Sequence, residues 1–129
     1  MPCTEGTDLT LREVREQMRR FTAEREWDKF HTPRNLMLAL VGEVGELAEL
    51  FQWKTETDAG PGLPGFSEKE VNNVQDELAD VLLYLIRLAD RCDVDLGAAV
   101  RAKMVKNAEK YPMEKCKGVS DKYTAYHNT

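Results

Sequence analysis

Residues 36–51 read Leu36-Met37-Leu38-Ala39-Leu40-Val41-Gly42-Glu43-Val44-Gly45-Glu46-Leu47-Ala48-Glu49-Leu50-Phe51, apolar nearly all round a helix yet carrying three glutamates at a spacing of three. Few folds accommodate such a segment. A helix that is apolar on every side is expected to be largely buried. Glu43 and Glu46 share one face, roughly in line with Ala39, Leu50 and Trp53. Like charges at i, i+3 repel, and burying them without compensation is costly.

A second segment repeats the arrangement. Val71, Val74, Leu78, Val81, Leu82, Leu85 and Ile86 supply an apolar surface at helical spacing, while Glu77 and Asp80 form another acidic pair with Tyr84 one turn further on. The intervening Asp58-Ala59-Gly60-Pro61-Gly62-Leu63-Pro64-Gly65 reads as a loop, long enough for the second helix to return beside the first. Antiparallel packing would gather four carboxylates around one point, an arrangement stable only with a divalent cation among them. Oxygen-only ligation points to magnesium, with manganese as a substitute. Gly42 and Gly45, each just before a glutamate, allow close approach of a ligand or backbone. A solvated or salt-bridged face explains one such pair easily. It explains two pairs, each inside a strongly apolar helix, much less well.

Punctuation sets the rest of the frame. Thr10-Leu11-Arg12-Glu13 and Ser67-Glu68-Lys69-Glu70 have the pattern of capping boxes, and Thr32-Pro33 that of an N-cap followed by proline in the first turn. The first predicted helix opens at Thr10 and continues through Val14, Met18 and Phe21. The second runs from about Arg34 to about Lys54, the third to about Arg91, and the fourth from Asp95 to Tyr111-Pro112. Strand patterning is absent, so the expected architecture is an all-α, four-helix bundle. It divides into an N-terminal segment over 1–9, a helical catalytic domain over 10–112 and a polar tail over 113–129, expected to be poorly ordered unless it docks on a partner subunit.

Several classes are disfavoured. The net charge of −5 lacks the basic footprint of a nucleic-acid binder. No apolar run is long enough for a membrane span, and the charged first twenty residues leave no room for a signal peptide. Cys3, Cys92 and Cys116 are odd in number and without motif spacing, which suits reduced thiols in an intracellular protein, expected in the cytoplasm with other intracellular compartments open. Di-iron bundles place Glu-x-x-His on two helices. Here the sole carboxylate-x-x-His is Asp28-Lys29-Phe30-His31 at a helix junction, so hydrolysis of a phosphate ester or anhydride with a hard metal is favoured.

Glu43-x-x-Glu46 followed by Glu77-x-x-Asp80 resembles the metal motif of the all-α nucleoside triphosphate pyrophosphohydrolases, the superfamily of the MazG proteins and dimeric dUTPases. The likeness is closer to the dCTP pyrophosphatase branch, through Phe30–Leu36, Leu40–Lys54, Glu77–Leu85, Val94-Asp95-Leu96, Lys103-Met104, Asn107 and Tyr111-Pro112. It covers roughly residues 10–112. The resemblance implies that Glu43, Glu46, Glu77 and Asp80 are both metal ligands and the catalytic centre. It implies that Trp27, Lys29, Phe30, His31, Trp53 and Tyr84 line a nucleotide pocket, that Asn107 contributes to it, and that the products are a nucleoside monophosphate and pyrophosphate. It also implies a homotetramer with pockets built partly between subunits, and a role in nucleotide-pool sanitation. Met18 departs from the histidine of some relatives, and the loop between Glu46 and Glu77 is somewhat longer than in some of them.

Read on their own, several of these residues have alternatives. Trp27 and Trp53 suit stacking on a base or packing in a core. His31 suits a bond to base or sugar or a helix-junction contact. Lys103, Asn107 and Lys110 share a face, either meeting phosphates or forming a solvated basic patch. Glu49 is a candidate proton acceptor or a surface residue. At the level of function, a dUTP or other noncanonical-nucleotide pyrophosphatase and a non-catalytic helical module are the alternatives to a dCTP pyrophosphohydrolase.

Overall fold

The computed structural model of the chain describes residues 8–120. All regular structure among them is helical: α1 (Leu11–Glu24), a 3-10 turn (Asp28–Phe30), α2 (Pro33–Glu49), α3 (Glu68–Arg91), α4 (Leu96–Lys110) and the short α5 (Met113–Cys116). The expected all-α architecture is therefore observed. The chain forms two compact units, one ending at Val94 and the other beginning at Asp95.

Every long helix starts where a side chain replaces a missing backbone acceptor. Thr10, Thr32 and Ser67 hydroxyls accept from the amides of Glu13, Asn35 and Glu70, and the Asp95 carboxylate accepts from Ala98. Each such cap contributes about 1 kcal/mol. α1 and α3 end alike, with Glu26 and Asp93 in left-handed conformation at φ 54° and 55°. The Trp27 amide then reaches back to the Thr22 carbonyl, and the Val94 amide to that of Ala89. These bonds satisfy carbonyls that the helix ends would leave bare.

In the first unit α3 is the hub, packed by both α1 and α2. Val14, Leu36, Val74, Ile86 and Ala89 form its core. Thr22 is also buried, its hydroxyl donating to the Met18 carbonyl at 3.0 Å, so no polar atom is stranded there. Three cross-contacts give the direction of α2 against α3. His31 meets Arg87, Glu43 faces Glu77, and Lys54 pairs with Glu70, so the two segments run antiparallel as expected.

Two expectations need correction. α2 stops at Glu49 rather than near Lys54. The Leu50 amide bonds to Leu47 and that of Lys54 to Phe51, tightening the chain into turns. Tertiary contacts favour that exit: Phe51 packs on Phe66 at 5.3 Å, and Lys54 Nζ reaches the Gly65 carbonyl at 3.3 Å and Glu70 at 2.5 Å. Nor is α2 largely buried. Leu36 is enclosed, but Met37, Leu38, Val41 and Val44 are each about half exposed, because the first unit packs only one side of this helix.

In the second unit α4 and α5 expose most of their surface, including Met104 and Met113. Met113–Cys116 gives the start of the expected tail a helical turn. The remainder of the tail from 121, and the N-terminal segment through 7, Cys3 included, lie outside the described residues. Cys92 and Cys116 are free thiols.

Candidate metal and nucleotide site

Carboxylate oxygens of Glu43 on α2 and of Glu77 and Asp80 on α3 lie within 4.8 Å of one another. Glu46 stands outside this triad but beside Glu43, and its charge is felt there. One oxygen each of Glu43 and Glu77 (Oε2 in both) is enclosed and has no hydrogen-bond partner among the described residues. Ionised carboxylates only accept, so two of them brought face to face require a proton or a cation between them. The Glu43 carboxyl shows the strain: a shared hydrogen bond with Glu77, then burial, then the Glu46 charge push its pKa up to about 7. Enclosed, unpartnered oxygens from two helices, in a cluster that holds no Cys or His among the described residues, fit a hard divalent cation such as magnesium.

Beyond the carboxylates, the link between α1 and α2 carries the aromatic residues. The Asn35 amide nitrogen donates to the Phe30 carbonyl at 3.0 Å, fastening the 3-10 turn to the start of α2. Trp27 meets Phe21 edge-on at 5.7 Å and lies 6.4 Å from the His31 ring. Phe30 is 59% exposed and Trp53 87%, so neither serves as core. Lys29 Nζ lies 5.2 Å from the Phe30 ring, and Tyr84 is half-buried on α3. Lys103 and Asn107 are exposed on α4, in the second unit. Glu49 is exposed at the last turn of α2.

Sequence reasoning missed one feature altogether. Arg87 is buried at 3% exposure and divides its guanidinium among three partners: Nε to His31 Nδ1 at 3.1 Å, and its two amino nitrogens to Asp28 at 2.7 Å and Asp90 at 3.4 Å. Arg19 makes a forked pair with the same Asp90, and Arg91 Nε donates to the His31 carbonyl at 2.8 Å. A single arginine interrupting the apolar run Leu82–Ala89 was the available signal, since a charge there must find a buried partner. Burial, then the Arg87 charge, lowers the His31 pKa, with Asp28 opposing and Arg91 adding. A cavity of about 340 Å³ beside this network is lined by Arg19, Arg87, Arg91, Asp28, Asp90 and Asp93, whose charges cancel.

A carboxylate triad shared by two antiparallel helices of an all-α chain suits hydrolysis of a phosphoanhydride with a hard metal ion. The chain belongs to the MazG-like family, whose model matches residues 39–125. It is 52% identical to dCTP pyrophosphatase 1 of Rattus norvegicus over 95% of this chain and 71% of that protein. It is 55% identical to dCTP pyrophosphatase 1 of Homo sapiens over 89% of this chain and 66% of that protein. Among solved structures it resembles a pyrophosphatase from Archaeoglobus fulgidus, with a TM-score of 0.70 and 36% identity, covering 85% of this chain and 99% of that one. The expected superfamily and branch thus both stand.

Proposed function

We propose that the chain is a magnesium-dependent pyrophosphohydrolase that converts dCTP and its 5-modified analogues to the monophosphate and pyrophosphate. The observation that carries this reading is the pair of enclosed, partnerless oxygens of Glu43 and Glu77, in a chain about half identical to dCTP pyrophosphatases. Glu43, Glu77 and Asp80 would hold the ion, with Glu46 as fourth ligand and manganese as substitute. When bound, magnesium screens the triphosphate and polarises the phosphorus for in-line attack by water. Glu49, free of the triad, is the candidate acceptor of the water's proton.

The exposed faces of Trp27, Phe30 and Trp53 suit stacking on a pyrimidine. Lys29 and His31 supply donors, and Tyr84, one turn from Asp80, suits a contact to the sugar that leaves no room for a 2′-hydroxyl. Lys103 and Asn107 on α4 are a cation and an amide of the kind that phosphate oxygens favour, whether from the same or a neighbouring subunit. The half-exposed apolar residues of α2 and α3 support assembly with further copies, which we take as a homotetramer. No helix of the described residues is long and apolar enough to cross a membrane. A cytoplasmic role in nucleotide-pool sanitation completes the proposal.

Product analysis over a panel of canonical and 5-modified nucleoside triphosphates tests it. Equimolar dCMP and pyrophosphate, formed fastest from dCTP-like substrates, is the expected result. A preference for another base overturns the substrate, and release of dCDP with inorganic phosphate overturns the reaction.

A further inference from the structure

Arg87 is the one charged residue buried among the described residues, and it reaches both the turn bearing the aromatic side chains and the helix bearing Glu77 and Asp80. A guanidinium only donates, and it stays protonated at every physiological pH. The His31 Nδ1 that receives its Nε–H therefore has no proton of its own, and the ring proton sits on Nε2. His31 Nε2 has no hydrogen-bond partner among the described residues. Asp28, at the start of the same turn, takes a second donor of the guanidinium at 2.7 Å, and Arg91 holds the His31 carbonyl at 2.8 Å. The turn is fastened to α3 at both ends.

We infer that Arg87 is a positioning residue: it fixes His31 in the Nε2–H tautomer and sets the turn 27–31 against α3, so that His31 offers the nucleotide a hydrogen-bond donor and never an acceptor. The ligand chemistry this selects is an acceptor atom on the base or sugar. Burial, then the Arg87 charge, disfavours a second proton on the ring, and Arg91 adds to this against the opposing charge of Asp28, itself bonded to Arg87. The functional half of this inference rests on the proposed nucleotide hydrolysis. The tautomer is a property of the resting protein.

The test is a two-bond ¹H–¹⁵N spectrum of ¹⁵N-labelled protein. His31 and His127 are the chain's two histidines, so His127→Gln assigns the signals. The expected wild-type spectrum has a bare Nδ1 and a protonated Nε2, persisting below the ordinary histidine value of 6.5. Arg87→Leu should mix the tautomers and raise the titration. It should also raise KM for dCTP about tenfold while kcat stays within about twofold. Arg87→Lys keeps the charge without the fork and should leave the tautomers mixed. In a His31→Gln background, whose amide supplies its own donor, Arg87→Leu should shift KM by less than about twofold.

A proton on Nδ1 in the wild type overturns the inference, as does an unchanged His31 spectrum or KM in Arg87→Leu. If Arg87→Leu does not fold, the wild-type and Arg87→Lys spectra decide. A wild type that turns over no nucleotide sinks the proposed function, and the spectra still decide the role of Arg87.

Discussion

Replacing Glu43 by glutamine should make the metal-free protein more stable and the enzyme inactive. The Glu43 carboxyl titrates near 7 instead of its ordinary 4.5 because it faces Glu77 and lies beside Glu46. A carboxyl whose folded pKa is raised takes up its proton more readily when folded, so the native state is favoured below about pH 4.5 and loses that advantage as pH rises through about 7. A shift of that size corresponds to about 3 kcal/mol in a fully enclosed site. Glu43 is partly open to solvent, and screening reduces the effect to about 1 kcal/mol. Glutamine of the same shape removes the charge and offers Glu77 an N–H. In chelator at about pH 8, Glu43→Gln should melt roughly 4 °C above wild type, and at about pH 4, where Glu43 carries a proton in both folded and unfolded chains, the difference should vanish. Thermal denaturation at the two pH values reads this directly. A variant less stable at the higher pH, or equally stabilised at both, would refute the reasoning that the cluster is strained by unpartnered charge.

Three further outcomes follow from the same geometry. Leu36→Ala removes a side chain only 2% exposed and should cost about 3 kcal/mol in denaturant unfolding, the largest effect among single core truncations. Trp53→Ala, at a ring 87% exposed, should change stability by less than about 0.5 kcal/mol, yet raise KM for dCTP about tenfold in steady-state kinetics if the ring stacks on the base. Magnesium must displace the proton held at Glu43, so its apparent affinity, followed by calorimetry, should weaken as pH falls below about 7 and level off above it.

Local chemistry was readable from the sequence and non-local chemistry was not. Thr10, Thr32, Ser67 and Asp95 announced the helix starts because capping joins residues three apart. Three of the four acidic positions met, since three-residue spacing puts Glu77 and Asp80 on one face of α3 toward Glu43, whereas Glu46 stands outside the triad. The end of α2 was less legible. Phe51 and Trp53 continue the apolar pattern, and only the packing of Phe51 on Phe66 and the reach of Lys54 to Glu70 turn the chain away. The same Glu70 shows how a local motif yields: its amide meets Ser67 as a capping box requires, but its carboxylate goes to Lys54. The burial of α2 was overread because an apolar helix reports what it seeks to cover, not whether its own chain covers it. Arg87 joins residues 56 and 59 positions away, a distance no periodicity encodes.

Titrating magnesium into dCTP turnover by the wild-type protein, beside Glu77→Ala, tests the central claim most directly. The account predicts no pyrophosphate release in chelator, saturable recovery with magnesium in the wild type, and none in a folded Glu77→Ala. Turnover that survives chelation, or a Glu77→Ala variant as active as the wild type, would contradict it.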